Sequence, residues 1–203
     1  MIIHDKKIIF IHIPKTGGTT IENIISNGEK NKKKPDYFYG VVKGKALQHL
    51  TALEIRNRFD KFDEYLKFVT VRNPYERLLS EYYWCQIKGI GHKHGQSFDD
   101  FLDYVKNIVK VGKFNENKYI DHFIPQYKFA YDNDFNIIVD EIFYFEEFGK
   151  IINFCKEITN NKNIKNIHKQ KQNKRNKIKL NESQKSIIYN IYEKDFVLFN
   201  YKK

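Results

Sequence analysis

Cysteine is scarce in this sequence: Cys85 and Cys155 are the only two. They stand far apart, follow no metal-ligand spacing and fall in apolar helical patterns. A cysteine-based metal site is thereby excluded, and the pair reads as buried free thiols suited to a reducing compartment. Long apolar runs are missing as well. No stretch approaches the roughly 20 residues of a membrane span. Met1 to Phe10 is too short and too charged for a signal peptide, and Lys15 interrupts any longer apolar run. No internal repeat is present. These absences predict a soluble, cytoplasmic protein without a transmembrane segment.

What the chain does contain points to a folded anion binder. Its 203 residues suit one domain, 1–203, with a core large enough to stand alone. Aromatics make up 16%, well above what a disordered chain carries. The formal net charge of +11 predicts attraction to nucleotides, acidic glycans, nucleic acid or anionic lipid, without choosing among them.

Strand and helix patterns alternate along the chain. Ile8 to Ile11 reads as a buried strand, ending at Pro14 and the Gly17-Gly18 pair, with helical apolar spacing from Thr19 to Ser26. A short strand is expected within Tyr37–Val42. Thr51-Ala52-Leu53-Glu54 fits a capping box opening a helix to Phe59. Leu66 to Val71 is a second buried strand, followed by a helix with Asn73 as N-cap and Pro74 at its first position. Ser97 caps a helix from Phe98 to about Val109. Ile142 to Phe145 is a third strand, with a helix after it to about Ile158. Residues 160–180 form a basic loop, and Glu182 to Lys194 the last helix. The pattern predicts an α/β fold with a central parallel sheet covered by helices on both faces, and ligands beyond the carboxyl ends of the strands.

Two segments carry chemistry. His12-Ile13-Pro14-Lys15-Thr16-Gly17-Gly18-Thr19-Thr20 lies between a strand and a helix. There, backbone amides and the positive helix end suit an anion, and glycines let the chain approach a phosphate. Thr19 and Thr20 can add hydroxyl donors, and Lys15 a full charge. The G-x-x-x-x-G-K-[ST] phosphate loop of nucleotide kinases is absent, since Lys15 precedes the glycines. The second segment is Val69 to Ser80. Arg72, Glu76 and Ser80 fall at i, i+4 and i+8, so a guanidinium and a hydroxyl share one face, which suits a phosphate monoester. The competing reading of the first segment is an ordinary strand–turn–helix connection with a surface lysine, and that of the second a surface pairing of Arg72 with Glu76.

Together the two segments resemble the phosphate-binding motifs of sulfotransferases that use 3′-phosphoadenosine-5′-phosphosulfate (PAPS), most closely the carbohydrate (Golgi-type) branch. Weaker likeness extends through Gln48 to Thr51, His122 to Gln126, Phe145-Glu146 and Ile191 to Phe196. The resemblance implies a nucleotide-kinase-like, three-layer architecture and sulfuryl transfer from PAPS, leaving PAP, to an acceptor hydroxyl, with a glycan as the acceptor it points to. It implies that Lys15, Thr16, Gly17, Gly18, Thr19 and Thr20 hold the 5′-phosphosulfate and that Arg72 and Ser80 hold the 3′-phosphate. Lys174 and Arg175, in a basic loop with eight Lys or Arg between Lys162 and Lys179 and no acid, would fold over that phosphate. The alternative for this loop is a solvated segment or a nucleic-acid contact, though no nucleic-acid motif accompanies it. The Golgi members usually carry an N-terminal membrane anchor, whereas this sequence begins at the first core strand, which argues against a Golgi address.

His49, just ahead of the Thr51 cap, is the expected general base, kept neutral by the helix N-terminus. Glu54 is the spare candidate, with the capping box as its other explanation. His122 and Gln126 are candidates for lining the acceptor cleft, and His12 reads as structural. No metal is expected. Two competing functions are a small-molecule kinase, which needs magnesium, and a basic nucleotide- or nucleic-acid-binding module without catalysis. Acceptor specificity is expected in residues 27–47, 88–96 and 110–135, whose aromatics (Tyr37, Tyr39, Tyr119, Phe123, Tyr127) suit stacking on sugar rings and equally a phenol.

Overall fold

The computed structural model describes residues 1–42, 45–89, 95–114, 119–160 and 178–203. Its centre is a four-stranded sheet. Strand β1 (Ile2–Ile3) runs antiparallel to β2 (Ile8–Ile11). Strand β2 is parallel to β5 (Leu66–Val71), with Ile11 opposite Val69, and β5 is parallel to β6 (Glu141–Tyr144), with Val71 opposite Tyr144. The spatial order is β1-β2-β5-β6. A separate two-stranded ribbon joins β3 (Val41–Val42) and β4 (Lys45–Ala46).

Side chains of neighbouring strand residues point to opposite faces, and the core divides accordingly. Ile9, Ile11, Val69 and Val71 face a large cluster shared with helices α3 (Pro74–Lys88), α4 (Phe98–Val111) and α6 (Glu182–Leu198). Ile8, Phe10 and Phe68 face a smaller one closed by α1 (Gly18–Ile25) and α5 (Phe148–Thr159). Burial on both faces explains why these strands read as unbroken apolar runs. The short α2 (Ala52–Arg56) adds Ala52 and Ile55 to the larger cluster.

The three parallel strands stand where their sequences place them, and the expected three-layer α/β arrangement is present. Four details differ. An antiparallel strand, β1, borders β2, because a 3-10 turn over His4–Lys6 and a left-handed Lys7 (φ 51) reverse the chain within a few residues. Tyr37–Val42 is not a strand throughout: Pro35–Tyr37 form a 3-10 turn and only Val41–Val42 pair. Helix α2 ends at Arg56 rather than near Phe59. Helix α6 runs on to Leu198 across a break at Tyr192 (φ −120°, ψ 27°).

Candidate active site

The parallel strands β2 and β5 deliver two loops side by side at their carboxyl ends. From β2 the chain runs through His12 to Gly17 and enters α1. Lys15 and Gly17 both have positive φ (71° and 85°), so the loop turns sharply. Thr16 is fully buried, and its hydroxyl donates to the Ile13 carbonyl at 2.8 Å. It shapes the loop and has no hydroxyl left over for a phosphate. Gly17 caps α1 without any side-chain hydrogen bond; the Thr20 amide donates to the Gly17 carbonyl at 3.0 Å, which leaves the Gly18 and Thr19 amides as the donors a helix start offers to an anion. Thr19 is exposed and Thr20 half-buried beside them.

The glycines have a different reason from the expected one. A Cβ on Gly17 would come within 2.5 Å of the Phe148 ring, and one on Gly18 within 2.0 Å of the His12 ring. Their bareness lets aromatic rings close against the loop from within, leaving the outward amides to face an anion.

From β5 the chain passes through Arg72 into α3, capped by Asn73, whose Oδ1 accepts from the Tyr75 and Glu76 amides. Arg72 is buried, and its Nη1 donates to the Lys15 carbonyl at 3.2 Å, tying the two loops together. Its guanidinium lies 4.4 Å over the Phe145 ring. Glu76 stands 3.6 Å from Nη2, so the pairing expected of an unremarkable surface arginine exists, but on a buried one. The Arg72 Nε is buried and has no hydrogen-bond acceptor among the described residues. A buried guanidinium with an unused donor, beside an uncapped helix N-terminus, fits an anionic ligand. Ser80 lies half-buried two turns into α3.

Three imidazoles stand in a row behind the Lys15 loop, His12 and His122 buried and His49 partly buried, each held by a carboxylate. His12 Nδ1 meets Glu22 Oε1 at 2.8 Å, His49 Nδ1 meets Asp121 Oδ2 at 2.7 Å, and His122 Nδ1 lies 3.0 Å from both Glu81 oxygens. The His49 ring stands edge-on to both others, 5.0 Å from His12 and 5.0 Å from His122 between centroids. Burial pushes Glu22, Asp121 and Glu81 up, yet the imidazole facing each outweighs this and holds all three carboxyls below their usual range. His49 behaves oppositely: burial lowers it from 6.5 to about 4, with the His12 and His122 rings adding to the fall and Asp121 resisting it. A neutral His49 therefore donates Nδ1–H to a charged Asp121 and presents Nε2 as a proton acceptor. Its neutrality, expected from a helix N-terminus, has another main source. With only five residues in α2, burial is the larger cause.

Lys15 extends its ammonium over the face of Trp84, 5.1 Å from the ring centroid. Burial lowers its pKa, and Glu81 draws it partly back. The indole also touches Tyr119 (5.3 Å) and His122 (5.2 Å), so Lys15, Trp84 and the histidine row are continuous.

Two expected acceptor contacts have other tasks. Gln126 is fully buried: its Oε1 accepts from the Arg72 amide at 2.9 Å and its Nε2 donates to the Arg72 carbonyl at 2.8 Å. Fully enclosed and also hydrogen-bonded to the Asp195 carboxylate, it positions Arg72. His122 is buried against Glu81 and supports the row rather than lining an open cleft. Glu54 is engaged by its capping box, as its Oε2 accepts from the Thr51 amide. Lys174 and Arg175 lie outside the described residues.

Sequence reasoning missed Asp121, Glu81, Glu22, Trp84 and Arg77. Buried Arg77 pins the site, donating from Nε to the Pro14 carbonyl at 3.2 Å and from Nη2 to the carbonyls of His122 (2.8 Å) and Ile124 (3.0 Å). Asp121 and His49 are 72 positions apart, so no local pattern announces the pair. Metal-ligand spacing is likewise invisible in the sequence, yet His49, Asp121 and His122 bring candidate ligand atoms within 4.8 Å of one another. Both Nδ1 atoms there already face carboxylates, an arrangement suited to a proton acceptor.

No helix among the described residues is long and apolar enough to cross a membrane. No curated protein and no solved structure matches the chain significantly. The model of the sulfotransferase family matches residues 1–202, nearly the whole length, and its members' activity accounts for an anion loop, a buried arginine and a neutral histidine at one end of a parallel sheet. This chain belongs to the sulfotransferase family and is a sulfotransferase.

Proposed function

We propose that the protein moves the sulfuryl group of PAPS to a hydroxyl of a carbohydrate acceptor, with His49 as general base. The observation that carries the reading is a partly buried, neutral His49, oriented by Asp121, set against the loop that presents Lys15 and the N-terminus of α1. The amides of that helix end, Thr19, Thr20 and Lys15 would hold the 5′-phosphosulfate. Arg72, through its unused Nε, and Ser80 would hold the 3′-phosphate.

In the transfer, the acceptor oxygen attacks sulfur, the new O–S bond forms in line with the one that breaks, and PAP leaves. His49 Nε2 takes the acceptor's proton, and Asp121 stabilises the resulting imidazolium through Nδ1–H. Lys15 and the amides offset charge growing on the departing phosphate, a preorganised electrostatic contribution. A cytoplasmic setting belongs to the proposal. Cys85 and Cys155 are buried free thiols, each pushed up to about 12 by burial, as suits a reducing compartment. The carbohydrate acceptor rests on the sequence resemblance, and the half-buried indole packed on His122, one ring from the base, is compatible with it.

The test is PAP release from PAPS with a panel of glycan and phenol acceptors, in the wild type, Lys15→Ala and His49→Ala. General-base loss should lower kcat about 10²- to 10⁴-fold, with PAP binding nearly intact in His49→Ala. Full activity in His49→Ala would remove the base assignment.

A further inference from the structure

Trp84 is the only tryptophan in the chain. It sits half-buried on α3, one turn beyond Glu81, at the meeting point of both halves of the site. One neighbour is the Lys15 ammonium, 5.1 Å over the ring; the others are Tyr119, edge-on at 5.3 Å, and His122, at 5.2 Å. Tyr119 in turn stands 5.6 Å from His122, whose ring lies 5.0 Å from the base. An aromatic corner thus stands one imidazole away from His49, and a cation covers one of its faces.

We propose that Trp84 and Tyr119 form the platform on which the ring of a pyranose acceptor stacks, and that Lys15 covers this platform until the donor draws the lysine away. The inference rests on the donor site proposed above. The physical argument is competition for one ammonium. The ring face attracts Lys15 through its quadrupole, and the Glu81 carboxylate, already engaged by His122, adds a coulombic pull. A phosphosulfate at the α1 N-terminus offers full negative charge and charge-assisted hydrogen bonds, the stronger attraction. Lys15 is already partly buried, and burial lowers its pKa, so part of its desolvation precedes the turn to the anion. With the ammonium gone, the indole face is open. An indole face beside a perpendicular tyrosine accepts the C–H face of a sugar, and the ring hydroxyls then point toward the histidine row. Ammonium and sugar cannot occupy the same face, so the acceptor binds only after the donor.

The single tryptophan makes this measurable. Emission excited at the red edge, where tyrosine does not absorb, reports Trp84 alone, and acrylamide quenching reports its accessible face. PAP should raise the unfolding midpoint and, in the same samples, increase quenching severalfold. Lys15→Met should show the higher quenching without PAP. Methyl β-D-galactopyranoside should then protect Trp84 in the PAP-saturated wild type and not in the PAP-free protein. A raised midpoint with unchanged or reduced quenching would overturn the covering role of Lys15, and the wild type alone decides this even if the variant does not fold. Protection by p-cresol but not by the sugar, or by neither, would overturn the pyranose platform. An unmoved midpoint would instead defeat the donor site beneath the inference, a result distinguishable from the others.

Discussion

At the residue scale, the account turns on His49 being neutral, with its acceptor nitrogen fixed by Asp121. Because burial lowers His49 to about 4, the acid limb of kcat/KM against pH should lie well below 6, where an ordinary imidazole would already be losing activity. Asp121→Asn removes the partner that raises His49, so the limb should not move to higher pH. The variant should instead lose up to about 10⁴-fold in kcat, as expected when the carboxylate that orients a general-base imidazole is removed. An acid limb at 6.5 or above in the wild type contradicts the assignment. Linkage gives an independent check. A histidine whose folded pKa is depressed contributes stability above its unfolded pKa of 6.5, and this is lost as pH falls toward about 4. Thermal scans of His49→Gln should therefore show a smaller acid-side loss of stability than the wild type between those limits. Asp195, raised to about 6 mainly by burial, acts in the opposite direction, but it is common to both proteins and cancels in the comparison.

At the scale of elements, the site depends on how two strand ends are held together. Gln126 satisfies both main-chain groups of Arg72. Gln126→Leu leaves those buried groups without partners, each costing about 1–3 kcal/mol, so the variant should lose midpoint and PAP affinity rather than raise the acceptor KM selectively. Gly18→Ala drives a methyl into His12. Overpacking of this kind costs about 1–3 kcal/mol, and the midpoint should fall by roughly 2–12 °C. It should also disturb His49, because the two rings touch. The helix starts and buried strands were legible from local chemistry: Thr51 and Glu54, Asn73 and Pro74, and Ser97 all cap helices as their sequences suggest. Strand β1 was not, since two residues carry no period and its pairing depends on a left-handed Lys7. The partners of the histidines were not legible either. Each of His49 and His122 recruits its carboxylate from a distant element, 72 and 41 positions away. Only the fold brings them together, and the same holds for Arg77 and Trp84.

At the scale of the whole molecule, a sheet covered on both faces delivers two anion-directed loops to one end of a strongly basic chain. The net charge of +11 should assist capture of a polyanionic donor, so the KM for PAPS should rise with ionic strength while kcat changes little. The proposed transfer needs no divalent ion, and a chelator should leave turnover unchanged. Zinc should inhibit, because it would compete for the nitrogens of His49 and His122. The match to the sulfotransferase family over residues 1–202 establishes the class of reaction, and the donor is the claim on which the remaining assignments depend. The most direct measurement is a thermal-shift titration with PAP, beside ATP plus magnesium, on the wild type and Arg72→Ala. Stabilisation that grows with PAP concentration, exceeds that from ATP and vanishes in Arg72→Ala is the predicted result. No shift with PAP, or an equal shift in Arg72→Ala, would contradict the donor site described here.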